Sequence, residues 1–329
     1  MTFWSGKRVL VTGGAGFVGS HVVELLLGQE AKVTVLDYPP SRTPDRLHTV
    51  KDRIRLAPGN AMVLGECLDA MRGQEIVLHL AARVGGIRFN NEHQATMLRD
   101  NLLLAVNVLE AARQVEVERV LMVSSACVYP RHCTIPTPEE EGFKEMPEPT
   151  NLGYGWAKRT LELLAQTYAR EFGMRIAVAR PYNAYGPRDH FESPEAHVIA
   201  SVIRRLMEGE NPLVVWGTGE QSRSFLYVSD LARGLLELVE KHPEPDPVNL
   251  GTDEEVTIRA LVEMIVSLSG RRVTVQFDPS KPSGQPRRNC DTSKAKRLIG
   301  YTAQVPLRTG LERTLAWYEQ HVASYQSAR

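Results

Sequence analysis

Cysteine is scarce in this 329-residue chain, and the four present, Cys67, Cys127, Cys133 and Cys290, show no paired spacing. That excludes the close cysteine pairs of zinc sites and the disulfide framework of small secreted domains, and it fits thiols kept reduced. Long apolar runs are missing too: nothing approaches the roughly 20 residues that a membrane span requires. The amino terminus, M-T-F-W-S-G-K-R-V-L-V-T-G-G, enters an apolar strand within a few residues and offers no cleavable apolar segment. An excess of charge is also lacking, since Lys+Arg and Asp+Glu each number 39. General attraction to nucleic acid or to an anionic membrane is thereby removed. Repeats and low-complexity tracts are absent. The expectation is a soluble cytoplasmic protein without a metal site, acting on a small molecule.

What is there is ordinary globular material, 43% hydrophobic and 24% charged, in a chain longer than a single core of roughly 250 to 300 residues supports. Arg8 to Thr12 is a short apolar run feeding G-G-A-G-F-V-G-S and then V-V-E-L-L-L at helical periodicity. Strand, glycine turn and helix form the order a dinucleotide site needs. Gly13 permits the tight turn, Gly16 lets backbone approach a pyrophosphate, Phe17 and Val18 open the helix, and Gly19 allows it to pack on the strand. The spacing is G-x-x-G-x-x-G, a variant of the commoner pattern. The next strand, Lys32 to Leu36, ends in Asp37, about 20 residues beyond the glycines, where a carboxylate accepts hydrogen bonds from both ribose hydroxyls. A 2'-phosphate there meets like charge, so NAD is favoured over NADP; Arg42, a few residues on, weakens that preference.

The alternation continues. Arg53 to Leu56 predicts a third strand leading to Gly59-Asn60-Ala61, which either passes the adenine or is a plain loop. Leu64 to Met71 predicts a short helix, and Glu75 to Leu80 a strand ending in Ala81-Ala82, small enough for backbone to lie against a cofactor or simply to pack. Asn91 to Val115 reads as one long helix. Its Asn101, set among leucines, is expected to tie down nearby backbone, the alternative being support of a catalytic water and lysine.

The densest chemistry lies between Val120 and Lys158. The strand V-L-M-V-S-S-A-C-V-Y-P delivers Ser125 and Cys127 to its carboxyl end, and G-Y-G-W-A-K starts a helix on which Tyr154 and Lys158, four apart, share one face. Between them runs a polar, proline-rich segment read as a surface loop or flap. A helix from Trp156 to Phe172 and a strand from Arg175 to Arg180 complete six alternating strands. The fold class is α/β, a Rossmann-type doubly wound parallel sheet in residues 1–181, with residues near 225–252 returning to it. Residues 182–329 are expected to form a smaller α/β substrate-binding domain. Its predicted elements are helices Pro194 to Met207, Ser229 to Lys241, Thr257 to Ser269 and Leu307 to His321, and strands Leu213 to Trp216, Val248 to Leu250 and Val273 to Phe277.

With the glycine turn, Asp37, Ser125 and Tyr154-x-x-x-Lys158 in register, the sequence resembles the extended short-chain dehydrogenase/reductase family over almost its whole length. R-P-Y-N-A-Y-G-P-R from Arg180 and W-G-T-G-E-Q-S-R-S-F around Arg223 belong, in that family, to nucleotide-sugar enzymes. The resemblance implies a catalytic triad of Ser125, Tyr154 and Lys158, contacts from Asn183 and Arg223 to a nucleotide-sugar substrate, and a pyrophosphate contact from Arg287 or Arg288. V-G-G-I-R-F-N-N, which carries Val84 and Gly85, together with S-S-A-C-V-Y-P and S-P-E-A-H-V-I-A, resembles the GDP-mannose 3,5-epimerases and GDP-fucose synthases. Cys127 and His197 stand where those enzymes exchange protons with the sugar ring. Trp216 either stacks on a base or packs the second domain. A homodimer through the helices Asn91 to Val115 and Trp156 to Phe172 is implied by the same resemblance.

A ring carbon bearing only hydrogen and hydroxyl is a poor acid; an adjacent ketone makes its proton removable. Tyr154, Lys158 and Ser125 suit the oxidation, and Cys127 with His197 supplies one group for each face of the ring. The expected activity is an NAD-dependent epimerisation of a nucleotide sugar, with GDP favoured as the nucleotide, at carbon 3, carbon 5 or both, through a 4-keto intermediate. The alternative is a GDP-4-keto-6-deoxy-sugar 3,5-epimerase/4-reductase of the GDP-fucose synthase type, and a third reading is a non-catalytic cofactor-binding protein.

Overall fold

The computed structural model describes residues 2–38, 46–193, 196–281 and 285–326. Arg42, Pro194 and residues 282–284 of the basic loop lie outside them.

The first half alternates as the sequence pattern requires: β1 (Arg8–Thr12), α1 (Phe17–Gly28), β2 (Lys32–Asp37), β3 (Arg55–Pro58), α2 (Leu64–Met71), β4 (Ile76–His79), α3 (Ile87–Glu92), α4 (Gln94–Gln114), β5 (Arg119–Val123), α5 (Leu152–Phe172) and β6 (Ile176–Pro181). The second half contains β7 (Ala184–Tyr185), α6 (Val198–Met207), β8 (Leu213–Trp216), β9 (Ser222–Ser224), β10 (Leu226–Tyr227), α7 (Val228–Lys241) and β11 (Val248–Leu250). It ends with β12 (Glu255–Thr257), α8 (Ile258–Ser269), β13 (Val275–Asp278), β14 (Arg287–Arg288), α9 (Ser293–Ile299) and α10 (Leu307–Gln326).

Seven parallel strands form the main sheet in the order β11-β6-β5-β4-β1-β2-β3. Central strands of such a sheet are covered on both faces, so they read as continuous apolar runs. Alternate residues divide between two cores. Val9, Val11, Ile76, Leu78 and Leu121 pack under α1 and α7 on one face, whereas Leu10, Val77, Val120, Met122 and Ile176 pack under α4 and α5 on the other. Strand order reverses between β1 and β4, which opens a crevice above their carboxyl ends. A third core joins α6, α8, α10 and β8 through Ile203, Leu213, Leu261, Ile265 and Leu311.

The return of Val248–Leu250 to the main sheet follows the sequence pattern, through pairing with β6. Helix α9, which the sequence pattern did not foresee, also returns to the first unit: its Ala295 and Ile299 join the core beneath α1 and α7. We propose the division at residue 181 as the functional one, with these returns counted to the first unit. Three expectations are corrected. The third strand starts at Arg55 rather than Arg53, and the long helix breaks at His93 into α3 and α4. The proline-rich segment is not a free flap. Thr137 bridges to Cys290, Pro130 to Pro147, and the Glu139 carboxylate accepts the Asn249 amide at 2.8 Å, so long-range hydrogen bonds hold it down. Among the described residues no helix is long and apolar enough to cross a membrane.

Candidate active site

A cavity of about 1550 Å³ lies above the carboxyl ends of the sheet and extends to the second unit. Gly13, Gly16, Phe17, Val18 and Gly19 form one end of its wall, with Asn60, Ala61, Ala81 and Ala82 beside them. Gly13 sits at φ +70°, and a Cβ there would stand 2.7 Å from the Ala81 amide nitrogen; β1 and β4 approach that closely only because the residue is glycine. Asp37 closes β2. Its Oδ2 accepts the Ala15 amide at 2.9 Å, and burial raises its carboxyl pKa, against the Ala15 and Tyr38 amides and the charge of Arg46. Asn60 is fixed by its own turn, Oδ1 accepting from Met62 N at 3.0 Å. A small-residue cradle at a helix amino terminus, with a single carboxylate at the neighbouring strand end, fits NAD. Arg46 lines the same cavity and was not singled out by sequence.

The candidate catalytic side chains gather at the carboxyl end of β5. Ser125 begins a short turn, Ala126–Val128, in which its Oγ accepts the Cys127 amide at 3.1 Å. That turn sets the thiol two residues on against the same cavity. Gly155 lets α5 pass beside the turn; a Cβ there would meet the Cys127 carbonyl oxygen at 2.7 Å. Tyr154 and Lys158 then face the cavity, the ammonium 5.6 Å from the phenol ring centroid. Burial pushes the Tyr154 phenol up, Cys127 adds to this, and the Ser125 hydroxyl opposes it. Burial pulls Lys158 down to about 8, against Cys127 and Glu162, while Nζ donates to the Val123 carbonyl at 2.7 Å. Asn101 ties down backbone as expected: Oδ1 accepts from Arg83 N, and Nδ2 donates to the carbonyls of Arg83 and Met97.

From the other side come Val84, Gly85, Asn183, His197, Trp216 and Arg223. Asn183 donates from Nδ2 to Ser224 O at 2.8 Å. His197 precedes α6, and Trp216 is half exposed at the end of β8. Burial first, then Arg288, lowers Arg223 to about 10. Arg287 is corrected. In β14, Arg287 pairs with Ser222 and Arg288 with Arg223, so successive side chains leave opposite faces. Arg287 points away to form a two-pronged pair with Glu255, at 2.7 and 2.8 Å, and borders a separate shallow cavity with Arg131, His132 and Cys133. Arg288 lines the main cavity and donates to Cys127 Sγ at 3.8 Å. Asp189 and His190 also line it and were not singled out by sequence. Among the described residues no group of three or more His, Cys, Asp or Glu could hold a metal ion.

Known proteins are similar to the chain over almost its whole length. One relative, 35% identical over 97% of this chain and 98% of its own length, is a dTDP-4-dehydro-6-deoxy-D-allose reductase of a Streptomyces species. A probable GDP-L-fucose synthase 1 of Oryza sativa subsp. japonica is 34% identical, covering 97% of this chain and 94% of its own. A GDP-mannose 3,5-epimerase 1 of the same plant is 28% identical, over 97% and 84%. Among solved structures, a double mutant of the dTDP-glucose 4,6-dehydratase of Streptomyces venezuelae, with NAD bound, superposes with a TM-score of 0.85 at 26% identity, over 98% of this chain and 100% of that one. The sequence model of the NAD dependent epimerase/dehydratase family matches residues 9–251. The cradle, the Tyr154-Lys158 pair and this match over most of the length agree, and the chain belongs to that family of nucleotide-sugar epimerases and reductases.

Proposed function

We propose that the protein epimerises a nucleotide sugar, with a GDP-sugar as substrate, at carbon 3, carbon 5 or both through a transient 4-keto intermediate. One observation carries this: Cys127 stands on the wall of the same cavity as Ser125, Tyr154 and Lys158, and His197 lines it from the second unit. Bound in the glycine cradle, NAD would supply a reversible acceptor for the hydride that leaves carbon 4 of the sugar. Tyr154 takes and returns the hydroxyl proton, with Ser125 fixing the oxygen. Burial alone keeps the phenol protonated, so the ammonium of Lys158 is needed to favour the anion, and at about 8 it can itself relay a proton near neutrality.

The ketone acidifies the neighbouring ring carbon. Cys127 and His197 then take a proton from one face and deliver one to the other. Arg223 and Arg288 are placed to hold the pyrophosphate, Asn183 a sugar or phosphate oxygen, and Trp216 the base.

A second reading is favoured by the relatives: the reductase and the fucose synthase stand at 35% and 34% identity, against 28% for the epimerase. It is net reduction of a 4-keto-6-deoxy sugar by the same residues. Incubation with GDP-mannose and no added reduced cofactor separates the two. Epimers formed there exclude net reduction as the sole activity; turnover only with a 4-keto-6-deoxy sugar and a reduced cofactor sinks the epimerase. A non-catalytic role is disfavoured by the intact Tyr154-Lys158 pair, and an unchanged activity in Tyr154→Phe would revive it. We further propose a cytoplasmic homodimer joined through α4 and α5, where Leu103, Val106 and Leu163 are exposed; Leu163→Glu is expected to yield monomers in sedimentation.

A further inference from the structure

The turn after β7 fixes one carboxylate firmly. Arg188 is held at φ +68°, a left-handed conformation that costs a side-chain-bearing residue. Its guanidinium donates to both Glu24 oxygens, each at 2.7 Å, and to His21 Nδ1 at 2.8 Å. His21 Nε2 in turn donates to Pro187 O at 2.9 Å, and Arg46 Nε to Arg188 O at 2.7 Å. The ring of His21 is therefore neutral, in keeping with burial and Arg188 lowering it to about 4. Backbone on the amino-terminal side of Asp189 is tied to α1.

Asp189 itself is only 4% exposed, yet it lines the cavity. Oδ1 accepts the His190 amide at 2.7 Å, and Oδ2 has no hydrogen-bond partner. A buried carboxylate oxygen without a partner is costly, so one should arrive in the working complex. Three side chains that line the same cavity are candidates for it. The His190 ring is driven neutral, to about 4, by burial and then by Arg46 and His197. Arg46 is already engaged with Arg188 O and lies 3.5 Å from the His190 ring. His197 is the third: its charge is the strongest influence opposing the burial of Asp189, ahead of the His190 amide and Arg46. Its ring makes no cap bond to α6.

We infer that Asp189 is the positioning residue for His197: its free Oδ2 takes one imidazole N–H once a nucleotide fills the cavity, fixing the ring's tautomer and aiming the other nitrogen at the sugar. This rests on the reading of His197 as an acid/base group. The test reads ¹⁵N shifts of the His197 ring, with NAD and GDP as the probes. One fixed tautomer is expected in the native protein and a mixture in Asp189→Asn; a mixture in the native protein overturns the inference without recourse to a variant. Solvent-deuterium exchange into the sugar provides the second arm. Asp189→Asn should slow the exchange lost in His197→Asn by tenfold or more, within the roughly 10² to 10⁴ that a general acid or base contributes. It should add nothing in the His197→Asn background. A full effect in that background means Asp189 acts elsewhere. Absence of exchange in the native enzyme sinks the proposed reaction, and the ring shifts still decide the role of Asp189.

Discussion

Lys158→Met should abolish activity and make the protein more stable at pH 7. The ammonium is buried, and the fold lowers it from 10.5 to about 8. At about 1.36 kcal/mol per unit, the difference of about 2.5 units means that keeping the charge costs the fold about 3 kcal/mol below pH 8. Methionine removes this cost and also the hydrogen bond to Val123 O, worth about 1 to 1.5 kcal/mol. A net gain of about 1.5 to 2 kcal/mol remains. The sign with pH is specific. Between about 8 and 10.5 the unfolded chain binds the proton and the folded one does not, so native stability rises with pH there and the variant's advantage fades. Urea unfolding at pH 7 and pH 10 measures both. A variant less stable than the native protein by more than about 1 kcal/mol at pH 7, or an equal difference at the two pH values, refutes the reasoning.

Other substitutions separate support from chemistry. Glu162 is fully buried, pairs with the Arg180 guanidinium at 2.8 and 2.7 Å and accepts from Ser124. Glu162→Gln leaves Arg180 uncompensated and should cost about 3 to 5 kcal/mol, measured by urea unfolding; a loss below about 1 kcal/mol would mean the cation finds another partner. Arg288→Gln should weaken GDP binding about tenfold or more by calorimetry, whereas Arg287→Gln, bound to Glu255 outside the cavity, should change it less than twofold. Asp37→Ala should weaken NAD binding and narrow its advantage over NADP; an unchanged ratio would remove Asp37 from the ribose site.

Local features were legible because their meaning lies in short spacing. The glycine turn, the acid at the end of β2 and Tyr154 four residues before Lys158 need only a strand or a helix to be placed. Six strands alternating with helices announced a doubly wound parallel sheet. What stayed hidden depends on distant partners. Glu139 and Thr137 look like solvent-facing loop residues until Asn249, Asn289 and Cys290 arrive to hold them. The choice between Arg287 and Arg288 turned on the parity of a two-residue strand, which only pairing with β9 sets. Asp189 carried no sequence signal, since its burial and its place in the cavity wall are set by the tertiary fold.

The central claim is that Cys127 moves ring protons while Ser125, Tyr154 and Lys158 run the oxidation beside it. Cys127→Ser, assayed in deuterated water with the nucleotide sugar, tests this most directly. Deuterium entry at the ring carbon is expected to fall by about a hundredfold or more, as on losing a general base, while oxidation of the sugar at carbon 4 persists. Deuterium entry at the native rate would contradict it and leave the end of β5 a redox site alone.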